Sequence, residues 1–251
     1  MKFMRFLTPD GPRFGLVAGD ELRELDGDIF GGWRETGRTF DARNVKVLPP
    51  VVPGKVIAIG LNYLAHAQEK SRDVPEEPMM FMVSPTAIVA HDEPVVLKHP
   101  EHVTEHEAEL VVVIGKEGRD IPEERALEHV FGYTIGNDVS DRTLQYKDKQ
   151  FTRAKSFHTY KPLGPVIETE VDPTDLGIRL WLNGELRQDS RTSLLIHGVP
   201  KLIRVISEVM TLYPGDLIFT GTPAGVSPIK AGDVMEIEIE GIGRLRNPVR
   251  A

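Results

Sequence analysis

The chain has 251 residues, 40% hydrophobic and 27% charged, with a formal net charge of −8 and no cysteine. That length can bury a sizeable core, and the acidic balance argues against a nucleic-acid or anionic-membrane surface. Without cysteine there is no disulfide, thiolate ligand or thiol nucleophile, so any metal must be held by oxygen or nitrogen donors. No apolar run approaches a membrane span and the leading MKFMRFLTPDG lacks a signal-peptide core, so a cytoplasmic protein is expected.

Residues 1–48 alternate short apolar runs with Asp-Gly and Gly-Asp turns, which predicts small antiparallel strands and no chemistry. The Pro-rich break LPPVVPG, residues 48–54, marks a boundary, giving a small N-terminal domain (1–48) and a main domain (49–251). KVIAIG reads as a buried strand, and residues 62–70 as a short helix with Asn62 as its N-cap. His66 and Glu69, three apart, share a face of that helix, although an isolated pair of this kind is usually a surface contact. The polar SRDVPEEP behind it reads as a loop suited to a lid. Residues 79–96 hold two short strands and an Asp-Glu-Pro turn.

HVTEHEAELVVVIGK, residues 102–116, is the most informative stretch. Its β-branched right half is a buried strand closed by glycine. On its left, Glu105, Glu107 and Glu109 alternate, so in extended backbone all three carboxylates face one way. Acids are rarely buried unless paired or bound to a cation, so the row is either a solvated strand end or a metal site. Thr104 and Glu107 also fit a helix capping box, and His102 with His106 could share a helix face around zinc, though without the H-E-x-x-H signature.

Asp120-Ile-Pro122 predicts a helix start with Asp120 as cap. FGYTIGND is a strand ending at Asp138, followed by a helix with Ser140 as cap. An acid at such a strand end is a position for a ligand or for a cap. Residues 151–165 show no period, carry Arg153 and Lys155, and end in a Pro-Leu-Gly-Pro turn. IRLWLNGELRQ is a hairpin about Asn183-Gly184. Leu202, Ile203, Ile206 and Val209 stripe one face of a helix over 199–210. Three strands with glycine turns complete the chain, and the loop TGTPAG, residues 220–225, could turn backbone N–H groups and the Thr222 hydroxyl toward an anion. The direct reading is a strand-dominated mixed α/β protein.

The order of GLNYLAHAQE, EHEAELVVVIGK, GYTIGNDVSDRTLQ, RAKSF, PLGP and GDLIFTGTPAGV resembles the fumarylacetoacetate hydrolase family over residues 50–249. The resemblance implies a β-roll catalytic domain behind a small N-terminal β domain, commonly a homodimer. It implies Mg²⁺ or Mn²⁺ held by Glu107, Glu109 and Asp138, which agrees with a hard all-oxygen donor set. It places a His66–Glu69 dyad and Lys155 in catalysis, Thr222 on a substrate carboxylate, and Arg142 and Gln145 on the pocket wall. Two departures stand out: FMVSP has Val83 where many members carry lysine, and KSFH has His158 where many carry aspartate.

The implied activity is metal-dependent hydrolysis of the C–C bond of acylpyruvates, which are 2,4-dioxo acids, by way of a pyruvate enolate. The alternatives are isomerisation, tautomerisation or decarboxylation of related 2-oxo or 2-hydroxymuconate-type diacids, including oxaloacetate. A non-catalytic small-molecule binding protein on the same scaffold would be expected to have lost the acids or the dyad, and this chain keeps both.

Overall fold

The structure is a computed structural model that describes every residue except Lys70 and Arg72. Lys70, at the end of the helix expected over 62–70, and Arg72, in the expected loop, therefore lie outside the described residues.

The first quarter of the chain is a meander of β1 (Lys2–Thr8), β2 (Gly11–Ala18), β3 (Glu21–Asp28) and β4 (Gly32–Asp41), with β5 (Lys46–Val47) returning against β1. Then come β6 (Val56–Gly60), α1 (Leu64–Glu69), β7 (Met79–Val83), β8 (Ile88–Val89) and β9 (Val95–Val96). The glutamate-rich run is extended, as β10 (Thr104–Glu105) and β11 (Ala108–Ile114). β-branched residues lose side-chain freedom in a helix, and LVVVI draws the preceding acids into the strand. Next are β12 (Val130–Asn137), β13 (Ser140–Asp141), α2 (Arg142–Asp148), α3 (Phe151–Lys155) and β14 (Lys161–Glu168). The chain closes with β15 (Gly177–Leu182), β16 (Glu185–Arg191), α4 (Val199–Val209), β17 (Leu217–Phe219), β18 (Val234–Ile239) and β19 (Gly243–Arg250).

Strands dominate, at 45% against 17% helix. The large sheet runs β4-β3-β2-β1-β14-β12-β11-β17-β6-β7, so the meander continues the main sheet through the β1–β14 pairing. A second sheet runs β16-β15-β18-β19-β9, and β10 pairs with β13 as a short ribbon. β11 is buried along its whole length between two apolar clusters: Leu110, Val112 and Ile114 enter one, Val111 and Val113 the other. Glu109 lies on the Val111–Val113 side by strand alternation.

The hairpin at Asn183-Gly184 is present, both residues at positive φ as a type I′ turn requires. Other expectations are corrected. Asn62 does not cap α1; its amide donates to the carbonyls of His197 and Thr220 and its oxygen accepts from the His197 N–H, tying loops together. Asp120 is not a helix cap: it sits at φ 51°, with its N–H on the Ser207 carbonyl, and only a 3₁₀ segment, Glu123–His129, follows. Ser140 donates to the Asp138 carbonyl, and the cap of α2 is Asp141, whose Oδ1 accepts from Leu144 N–H. Pro-Leu-Gly-Pro is no turn, since β14 passes through it with a cis Gly164–Pro165 bond. Leu202, Ile203 and Ile206 are buried as the stripe predicts, but Val209 is exposed, because the last residue of α4 overruns the packed surface.

Candidate active site

The acids arrive from two strands that pair side by side. β11 and β12 run antiparallel with Ala108 opposite Asn137, so Glu107 and Glu109 flank the register that ends beside Asp138. Asn137 fixes the corner: its side-chain oxygen accepts the Glu107 N–H at 2.8 Å, and Asp138 N–H bonds the Glu107 carbonyl at 2.9 Å. Glu107, Glu109 and Asp138 are all buried, and one carboxylate oxygen from each lies within 4.8 Å of the others.

Three cations meet these acids. Lys155 Nζ donates to Glu107 Oε2 at 2.7 Å and to Asp138 Oδ2 at 2.6 Å. Arg142 donates to Glu107 Oε1, to Glu105 Oε2 at 2.6 Å and to Gln145 Oε1 at 2.7 Å. Glu105 thus orients the guanidinium. Lys161, fully buried, approaches Asp138 Oδ1 to 2.5 Å but directs its hydrogen bonds to the carbonyls of Val139 and Tyr160. Asp138 Oδ1 is left buried without a hydrogen bond.

Burial would push the Glu107 carboxyl up, but Arg142 and Lys155 outweigh it and hold it below the ordinary range. Glu109 goes the other way: burial, then Asp138 and Glu107, raise it well above the ordinary range, with only the Gly221 N–H at 2.8 Å and the more distant Lys155 opposing. Lys155 keeps its proton, because Asp138 and Glu107 overcome its burial. A divalent cation fits this set. Three convergent buried carboxylates form a hard oxygen site, and a cation among them would offset the burial and like-charge repulsion that raise Glu109.

Glu107 and Glu109 open on a cavity of about 450 Å³ whose wall also includes His66, Arg142, Lys155 and Thr222. His66 Nδ1 lies 3.1 Å from Glu69 Oε2. The expected pair is therefore made: His66 is buried on the cavity wall, and Glu69 stands behind it at the surface. Burial lowers the His66 pKa despite Glu107 and Glu69, so the ring is neutral at pH 7. With Nδ1–H donated to the carboxylate, Nε2 is the bare nitrogen. The other Glu69 oxygen accepts the Gly225 N–H at 3.1 Å, which couples α1 to the loop after β17. Gly225 has φ 98°, and a Cβ there would lie 2.0 Å from the Arg187 carbonyl, so no other residue fits.

Gln145 also lines the cavity, beside the exposed Tyr146 and Lys149. Thr222 reaches the wall, but its hydroxyl donates to the Ala108 carbonyl and accepts from Gln188 Nε2. His158 is remote from the acids, with Nδ1 against the Thr86 carbonyl, and Val83 is buried at the end of β7. His106 turns away to Gln188 and Ser227 and shares no site with His102. Of the nine site residues singled out from the sequence, seven line this cavity, while Asp138 and Glu69 stand behind it, bonded to the lining residues Lys155 and His66. Sequence reasoning missed Lys161, Asn137 and Gln188. Lys161 carried a signal: a lysine heading the apolar run KPLGPVI must have a buried partner.

Residues 55–250 match the family model of the fumarylacetoacetate (FAA) hydrolase C-terminal domain, and residues 1–50 match the Rv2993c-like N-terminal model. The chain belongs to the fumarylacetoacetate hydrolase family. Among solved structures it is similar to 5-carboxymethyl-2-hydroxymuconate delta-isomerase from Mycobacterium smegmatis, at 45% identity and TM-score 0.94, covering 100% of this chain and 99% of that one. A second similar structure, maleylpyruvate hydrolase from Sphingobium sp. SYK-6 in complex with manganese (II) ion and pyruvate, is 31% identical with TM-score 0.83 over 100% of this chain and 99% of that one. Oxaloacetate tautomerase fahd2, mitochondrial, of Xenopus laevis is 42% identical over 219 residues, 82% of this chain and 69% of that one. Among the described residues no helix is long and apolar enough to cross a membrane.

Proposed function

We propose that the chain is a divalent-metal-dependent enzyme acting on 2-oxo acids, and that it hydrolyses acylpyruvates. The observation that carries this reading is His66, held by Glu69, on the wall of the cavity onto which Glu107 and Glu109 open. Glu107, Glu109 and Asp138 would hold Mg²⁺ or Mn²⁺, which supplies Lewis-acid stabilisation of negative charge on a 2-oxo group. The neighbour that carries manganese and pyruvate supports this cofactor class.

The residues divide the remaining work. Glu69 fixes the His66 tautomer, so Nε2 takes a proton from water as the water adds to the C4 carbonyl. The C3–C4 bond then breaks, its electron pair moves to the pyruvate side, and C4 leaves as a carboxylic acid. Lys155, protonated between Glu107 and Asp138, steadies the developing charge, and C3 regains a proton to give pyruvate. The balance is acylpyruvate plus water to pyruvate plus carboxylic acid. The same reading carries a homodimer, which light scattering on the purified chain would test.

A second reading is isomerisation or tautomerisation of a 2-oxo diacid, in which His66 moves a proton between two carbons or between C3 and the 2-oxo oxygen and no water enters. It is favoured by the names of the similar proteins and by Lys149 at the cavity wall, placed to receive a distal carboxylate. A panel of acylpyruvates, oxaloacetate and 2-hydroxymuconate analogues, run with Mg²⁺ in ¹⁸O-labelled water, separates the two. Hydrolysis puts label into the released acid and yields pyruvate. Turnover of the diacids with no pyruvate from any acylpyruvate would overturn the hydrolase in favour of the isomerase.

A further inference from the structure

His99, Glu101 and His102 stand just ahead of β10, in the run His-Pro-Glu-His, and share no residue with the acidic cluster. One ligand atom from each lies within 4.8 Å of the others. The arrangement is held before any ion arrives. His102 Nδ1 sits 2.7 Å from Oδ2 of Asp141, a carboxylate with no exposed surface. That contact puts the hydrogen on Nδ1 and leaves Nε2 bare, 3.8 Å from Glu101 Oε1. The His99 ring stacks on His102 at 4.6 Å between centroids, and the edge of Phe157 backs it at 5.6 Å. His99 Nδ1 is 3.5 Å from the same Glu101 oxygen.

We propose that His99, Glu101 and His102 form a second metal site, for a transition-metal dication such as Zn²⁺. Two imidazole nitrogens and one carboxylate oxygen suit Zn²⁺ or Ni²⁺ and not Mg²⁺, and the exposure of Glu101 leaves a coordination position for water. Asp141 plays the part of the carboxylate behind a ligating histidine. It also caps α2, whose first residue, Arg142, grips Glu105 and Glu107. An ion held here would therefore brace the helix that delivers the guanidinium to the cavity. A competing account, that His102 only completes the cap, predicts no ion and gives His99 no role.

Calorimetric titration of the full chain with Zn²⁺ tests this, in a Glu109→Gln background that disables the acidic cluster. The expected result is one equivalent bound at about 1 µM or tighter. His99→Ala should abolish it, and Asp141→Asn should weaken it about 10–100-fold. Asparagine still caps a helix, so circular dichroism should find the Asp141→Asn fold unchanged. Titration with Co²⁺ reads the same site by the visible absorption of a nitrogen-containing, low-coordinate centre. Equal Zn²⁺ binding with and without His99, or no binding in the Glu109→Gln protein, would overturn the proposal, whatever the acidic cluster itself binds.

Discussion

The meander β1–β4 and the β11–β12 corner both carry charge, and they handle it in opposite ways. In the meander Arg34 pairs with Asp26, Arg38 with Asp10 and Arg43 with Asp20, all in solvent. Such pairs contribute little, because water already solvates both partners and salt screens them. At the corner, Glu107, Glu109, Asp138, Arg142, Lys155 and Lys161 are all buried. Burying that many charges is costly, and apolar residues of similar volume would stabilise the fold at least as well. On the proposed function, the outer charges serve solubility and the inner ones are kept for chemistry.

Four measurements can break or sharpen that contrast. The largest effect is expected at His66: His66→Ala should lower turnover about 10²–10⁴-fold with the fold unchanged by circular dichroism. In the wild type, turnover should be flat above an ordinary histidine pKa and decline only at lower pH, because burial holds the His66 pKa down. That acid limb should vanish in the variant, and wild-type turnover there would remove the dyad from the mechanism.

Second, Lys161→Met removes one of the two lysines facing the buried Asp138 carboxylate, leaving Lys155 against it, and should cost about 1–3 kcal/mol by urea unfolding. Adding Asp138→Asn should recover part of the loss, since the two residues are coupled. A loss no larger than that of a surface pair would dissolve the contrast.

Third, His106 is buried and neutral, its pKa lowered by burial to about 4. An unfolded histidine titrates near 6.5, so between those values the unfolded chain binds the extra proton. Stability should therefore be full above pH 6.5 and fall by about 3 kcal/mol as pH drops through 4. His106→Asn should flatten that slope in denaturation curves taken across the window. The smallest effect belongs to the meander, where Arg34→Ala should change stability by less than about 1 kcal/mol, and by less still at high salt.

Much of this was legible in the residues. Strict alternation in VMEIEI, the Asn-Gly hairpin and the unbroken LVVVI run each specify their strands, because pattern and local turn chemistry agree. The E-x-E spacing placed Glu107 and Glu109 together, and motif order brought in Asp138, His66 and Lys155. What stayed hidden depends on partners distant in sequence. Asn62 reads as a cap, yet its hydrogen bonds are made 135 and 158 residues away. Lys155 and Arg153 look alike in the sequence, and only folding puts one against Glu107 and the other against Asp148 in solvent.

The placement of β11 has a consequence for anyone altering the interior. Its side chains divide strictly between two apolar clusters, and Glu109 shares a side with Val111 and Val113. Trimming or enlarging either valine would shift the very backbone that aims the carboxylate. On the proposed function, a repacking experiment there should change reactivity even when it leaves the melting temperature untouched. The interior of this strand and the aim of its acid are one design variable.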